Sequence, residues 1–193
     1  MTRETAHDTA ASVIGIAANR AAQKWSKREL LGRALWETLR APLFSWTPRP
    51  FWAWRRMILR LFGARIGPHV HIDPSVYISV PWNLDIANSA SVGEFAILYS
   101  LGPICIGAGA TVSQRAHICA GTHDHTRLDL PLQKMPITIG AGVWICADAF
   151  VGPGVTIADL AVIGARSVVT RNVPERTIVA GNPARSIGQR RLS

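Results

Sequence analysis

The chain is poor in the residues that mark stapled or metal-clipped folds. It has only three cysteines, Cys105, Cys119 and Cys146, widely spaced and with no CxxC pair. That excludes a disulfide framework and a cysteine-rich zinc site, and leaves reduced thiols in or beside strands of a cytoplasmic protein. Cys146 as a nucleophile is the sharper alternative, but no basic residue adjoins it to lower its pKa. Acidic residues are also scarce, 12 against 21 lysines and arginines, for a formal net charge of +9. Between Arg20 and Arg65, eleven basic residues meet only Glu29 and Glu37, so this segment holds the whole excess. The near-neutral remainder argues against a nucleic-acid partner. No apolar run is long enough to span a bilayer. The short run at 10–18 follows Glu4 and Asp8 rather than a basic start, which speaks against a signal peptide. Residues 1–25 are expected to be flexible.

What the chain has instead is a period of six. Ile139, Ile145, Val151, Ile157, Ile163 and Val169 recur at every sixth position. Upstream the pattern reads Ile66, Ile72, Ile78 and Leu84, then Ile86, Val92 and Leu98, then Ile106, Val112 and Ile118. The phase slips by two residues at Leu84 to Ile86 and again between Leu98 and Ile106. Four residues after most of these aliphatics stands a small or β-branched side chain, such as Val70, Ala90, Ala110, Ala149 or Ala161, with Trp82 the exception. Neither an α-helix nor an ordinary strand has that period, whereas a parallel β-helix of triangular section does, with one hexad per side. Glycine follows the aliphatic at Gly67, Gly93, Gly107, Gly140, Gly152 and Gly164, where a positive φ is expected. Ile118 and Ile139 are 21 positions apart where unbroken winding gives 18. A loop at about 119–136 therefore leaves the coil, carrying His123 and His125, with His117 just before it.

The segment at 20–65 also holds five of the seven tryptophans. Ser26 with Glu29 makes a capping box ahead of a helix running to Pro42. A second helix is expected from Pro50 to Gly63, with Phe51, Trp54, Ile58 and Leu61 on one face and Arg55, Arg56 and Arg60 on the other. Two readings stand open: a lid on the first coil, or a peripheral membrane contact through residues 26–65. The expected divisions are 1–25, 26–65, a β-helix over 66–175, and a C-terminal segment at 176–193.

The hexads, the motif Ala120-Gly121-Thr122-His123-Asp124-His125, the stretch Pro136–Ile145 and the end Val179-Ala180-Gly181-Asn182-Pro183-Ala184-Arg185 resemble the left-handed β-helix (hexapeptide-repeat) acetyltransferases. The likeness is greatest to the colanic-acid biosynthesis type, through Leu61–Gly67 and the pair Pro81-Trp82. Galactoside, maltose and nodulation acetyltransferases are related. The resemblance implies an all-β, left-handed parallel β-helix with an N-terminal helical extension and one protruding loop. It also implies an O-acetyltransferase that moves acetyl from acetyl-CoA to a sugar hydroxyl without an acyl-enzyme, with no metal. The acceptor is a sugar or lipid-linked saccharide of exopolysaccharide or surface-polysaccharide biosynthesis. The expected assembly is a homotrimer, and the expected place is the cytoplasm, at the inner face of the membrane if the acceptor is lipid-linked.

By the same resemblance His123 is the general base, since a hydroxyl needs one near neutral pH. His125 is a partner of the base or an acceptor contact. Trp144 lies beside the acetyl and catalytic region. Ala147 and Ala165 hold the pantetheine arm through their backbone, and Thr170, Arg171 and Arg185 meet the phosphates. Gly188 stands where some members carry a further arginine, with Arg190 or Arg191 as substitutes. The acceptor side departs from the family, since Phe95–Tyr99 lacks its asparagine. Two alternatives remain: a γ-type carbonic anhydrase-like zinc enzyme using His117 and His123, and a non-catalytic β-helix scaffold.

Overall fold

A computed structural model describes residues 17, 19–22 and 24–192, and most of the stretch expected to be flexible lies outside them. Short parallel strands build the three sides of a prism. The first face stacks Arg65–Ile66, Leu84–Ile86, Ile104–Ile106, Ile137–Ile139 and Thr156–Ile157. The second stacks His71–Ile72, Ser91–Val92, Thr111–Val112, Trp144–Ile145, Val162–Ile163 and Thr177–Ala180. The third stacks Tyr77–Ile78, Ile97–Tyr99, His117–Cys119, Phe150–Val151 and Val168–Val169. The aliphatic column is in register, Ile66 on Ile86, Ile106, Ile139 and Ile157. All five are buried, as are the small corner residues Ala90, Ala96, Ala110, Ala116, Ala149 and Ala161. Each fully buried aliphatic contributes roughly 1.5–3 kcal/mol relative to exposure. The coil continues beyond the expected 175, because Thr177–Ala180 still pairs in parallel with Val162–Ile163 before Arg185–Gln189 folds back antiparallel.

Both slips and the loop fall at one edge, between the third face and the first, in the steps from Ile78 to Ile86, Leu98 to Ile106 and Ile118 to Ile139. Positive φ falls three residues after the inward aliphatic rather than on the glycine directly after it, for example at Ser89 (58°), Phe95 (57°), Gly109 (65°) and Leu160 (59°). The glycines after the aliphatics serve close stacking instead. A Cβ on Gly107 would lie 2.5 Å from the backbone nitrogen of Ala141.

Helix α1, Lys27–Arg40, opens on the expected capping box: the Ser26 hydroxyl accepts from the Glu29 N–H, and the Glu29 carboxylate accepts from the Ser26 N–H. A π-helical turn, Ala41–Ser45, leads on to helix α2, Trp52–Leu61. The inward face of α2 is not the expected one. Arg55, Ile58 and Leu59 are buried, while Phe51, Trp54 and Leu61 are 50%, 40% and 75% exposed. The reason is the polarity of the winding. The N–H groups just after the inward residues donate to the next coil's carbonyls, as Gly67 does to Ile86 and His71 to Ala90, so the first coil's Ile66, Val70, Ile72 and Ile78 carbonyls have no earlier coil to pair with. Donor-only side chains take its place. Arg60 donates to the Ile66 carbonyl (2.9 Å), Arg56 to Val70 (3.0 Å), Arg55 to Ile72 (2.8 Å), and Trp36 Nε1 to Ile78 (2.7 Å). The arginines that the sequence aligned with a membrane surface thus face the end of the coil. No helix among the described residues is long and apolar enough to cross a membrane.

Candidate active site

The protruding loop is a hairpin in which Thr122–His123 pairs antiparallel with Leu132–Gln133. Its turn is tied by Asp124, whose carboxylate accepts from the Thr126 N–H (3.0 Å) and hydroxyl (2.6 Å). Those bonds hold the Asp124 carboxyl below its ordinary pKa, so its charge serves the turn. Arg127 clamps Asp129 through two 2.9 Å contacts. The result is a shaped loop that presents one side chain. His123 Nδ1 lies 2.6 Å from the carbonyl oxygen of Leu130. A carbonyl only accepts, so Nδ1 carries a proton, and in the neutral ring Nε2 is the atom with the lone pair. Leu130 takes a φ of 42° to bring that oxygen into place. His125 stands exposed on the same turn.

The other expected residues fall into separate groups. Trp144 sits on the second face, 47% exposed, with its indole N–H donating to the Ser113 hydroxyl at 3.0 Å. Ala147 and Ala165 occupy successive levels of the corner between the second and third faces, where the Arg166 N–H donates to the Ala147 carbonyl at 2.9 Å. At the same corner Arg115 binds Asp148 at 2.7 and 3.0 Å and holds that carboxyl low. Thr170, Arg171 and Arg185 meet around a depression of about 390 Å³ on the last coil, joined by Asn172, Ser186 and Gln189. Arg190 is committed elsewhere, to the carbonyls of Gly142 (2.7 Å) and Leu160 (3.2 Å), which leaves exposed Arg191 as the remaining substitute. One protomer therefore collects the cationic set at the end of the coil and holds His123 at the edge between the third face and the first.

Burial raises the pKa of all three thiols, which keeps them protonated and poor nucleophiles. His117 lies edge-on between Tyr99 and Phe150, half-buried, with its pKa lowered by burial. Among the described residues no three His, Cys, Asp or Glu side chains gather as a metal site, so within one protomer the zinc alternative finds no ligand set.

Sequence reasoning missed the Leu130 carbonyl and the aromatic wall beside His123, formed by Tyr77, Tyr99 and Trp25. A backbone oxygen seven residues downstream carries no side-chain signal. Trp25 was visible only as one of a cluster of tryptophans.

The model of the bacterial transferase hexapeptide (six repeats) matches residues 136–171. The Escherichia coli K12 protein assigned as the colanic acid biosynthesis acetyltransferase WcaF is 45% identical over 156 residues, covering 81% of this chain and 86% of that relative. Galactoside O-acetyltransferase of Escherichia coli K12 is 32% identical over 141 residues, covering 69% and 67%. A solved galactoside acetyltransferase in complex with coenzyme A superposes with a TM-score of 0.78 at 25% identity, over 92% of this chain and 90% of that one. With the β-helix and the hairpin histidine in place, the chain belongs to the hexapeptide-repeat acetyltransferase family.

Proposed function

We propose that this chain transfers acetyl from acetyl-CoA to a sugar hydroxyl in exopolysaccharide or surface-polysaccharide assembly, with His123 as the general base. The observation that carries the reading is the 2.6 Å contact from His123 Nδ1 to the Leu130 carbonyl, which leaves Nε2 as the proton acceptor. As the sugar oxygen bonds to the acetyl carbon, its proton passes to Nε2. The carbon–sulfur bond breaks, and the proton moves on to the departing thiolate. No covalent enzyme intermediate is needed, in keeping with thiols that burial holds protonated.

The cationic depression suits the other substrate. Arg171 and Arg185 beside the Thr170 hydroxyl offer forked donors for phosphate oxygens. Small side chains at Ala147 and Ala165 leave room beside the backbone for an extended arm. Because one protomer keeps this set apart from His123, the working unit in this reading is a homotrimer, with Trp144 and the cofactor residues of one copy facing the hairpin of the next. The relatives' named activities support the acetyl donor and a carbohydrate acceptor.

Thiol release from acetyl-CoA in the presence of an acceptor tests the reading. His123→Ala should lower turnover by about 10²–10⁴-fold. A variant within tenfold of wild type would remove His123 from the chemistry.

A further inference from the structure

Beside His123 lies a second depression, of about 330 Å³, walled by Lys24, Trp25, Arg33, Tyr77 and Tyr99. It adjoins the general base, so on the reading above it receives the acceptor. Its chemistry is one-sided. The Arg33 guanidinium lies 4.3 Å from the Trp25 ring centre, and Lys134 Nζ lies 3.4 Å from the same centre. Lys134 is held there by donating to the Lys24 carbonyl at 3.0 Å. Arg40 covers Tyr77 at 5.0 Å. Two cations, Lys24 and Arg33, thus line the space, with Lys134 and Arg40 set against two of its rings.

Among the described residues no carboxylate lines it, and those nearby are committed. Both oxygens of Asp129, in the adjoining depression, bind Arg127 at 2.9 Å. Glu37 pairs with Arg40 at 3.1 Å, and Glu29 caps its own helix through the Ser26 N–H at 2.7 Å. A sugar hydroxyl can accept from an ammonium or a guanidinium, but a carboxylate or phosphate gains charge-assisted bonds there that a neutral ring does not. A ring seated between Tyr77 and Tyr99 and bearing a negative group would meet both the aromatic faces and the cations.

We infer that the acceptor is an anionic saccharide, its carboxylate or phosphate bound by Arg33 and Lys24 and its hydroxyl turned toward His123. This inference rests on the acetyltransferase reading and adds the charge of the acceptor.

The full chain, with saturating acetyl-CoA, would be assayed for thiol release on three probes. These are p-nitrophenyl β-D-glucoside (neutral), p-nitrophenyl β-D-glucuronide (carboxylate) and glucose 1-phosphate (phosphate). At least one anionic probe should exceed the glucoside in kcat/KM by about tenfold, a preference that falls as salt screens the charges. Whichever anionic probe leads identifies the group. Arg33→Gln and Lys24→Gln should each shrink the preference several-fold, mainly through KM, and Arg33→Glu should reverse it. Equal turnover of all three probes, preference for the glucoside, or no turnover of any would overturn the inference. Titration with acetyl-CoA separates the two levels: wild-type protein that fails to bind it refutes the acetyltransferase reading, and variants that still bind it are folded.

Discussion

The two ends of the coil pose opposite problems and are closed by opposite chemistry. The first coil presents carbonyls with no sheet partner, and three arginines and a tryptophan N–H answer them. The last coil presents N–H groups, and acceptors answer those: Asn172 Oδ1 takes the Thr156 N–H at 2.8 Å, and the Ser167 hydroxyl takes the Gly181 N–H at 3.2 Å. The difference explains part of the uneven charge. Three of the eleven basic residues in 20–65, Arg55, Arg56 and Arg60, answer the acceptors that the winding direction leaves at that end, where donor-only side chains fit without leaving polar atoms unpaired. A basic, tryptophan-rich segment therefore signals the capping of a parallel solenoid as readily as it signals a membrane or a nucleic acid.

Breaking the N-terminal closure should cost most. Arg55 is fully buried and donates to the carbonyls of Ile72, Pro48 and Arg49 and to the Thr47 hydroxyl. Burial lowers its pKa and the Asp73 charge opposes that, but a guanidinium stays protonated across the working range. Arg55→Ala orphans several buried acceptors and opens a cavity, so chemical denaturation should show a loss on the order of 3 kcal/mol. Trp36→Phe keeps an aromatic ring where the indole packs edge-on against Phe44 and Phe62, and removes the donor to Ile78 together with a small part of the buried volume. That variant should lose about 1–2 kcal/mol in the same measurement. At the exposed C-terminal end the cost is smaller. Asn172→Ala should lose about 0.5–1 kcal/mol, while Asn172→Asp, which keeps the acceptor oxygen, should stay near wild type. If the two ends responded equally, the contrast between them would fail.

The fold was legible because the hexad repeats in side-chain size as well as hydropathy, Ile over Ile and Ala over Ala, and one repeating shape needs no long-range information. The phase slips were also visible, but their shared edge was not, since it depends on counting three faces per turn through two irregular steps. The second helix was misfaced because hydrophobicity placed Phe51 and Trp54 inside. Hydrogen-bond demand at the coil's end put Arg55 there instead, and no helical period encodes that demand. At the site, His123 was carried by its motif. The Leu130 oxygen that holds its ring is backbone, and the wall beside it joins Arg33, Tyr77 and Tyr99 from three separate stretches of chain, so neither had a local signature.

On the proposed reading binding and chemistry are separate: the cations of the last coil hold the CoA end of the donor, and His123 moves the proton from the acceptor hydroxyl to the departing thiolate without holding the donor. Isothermal titration of His123→Ala with acetyl-CoA tests that separation most directly. The expected result is an affinity within about threefold of wild type, a difference of less than 1 kcal/mol, in a protein that no longer turns over. Loss of binding in the variant would place His123 in the donor site and contradict the division, and absence of binding in the wild type would contradict the activity itself.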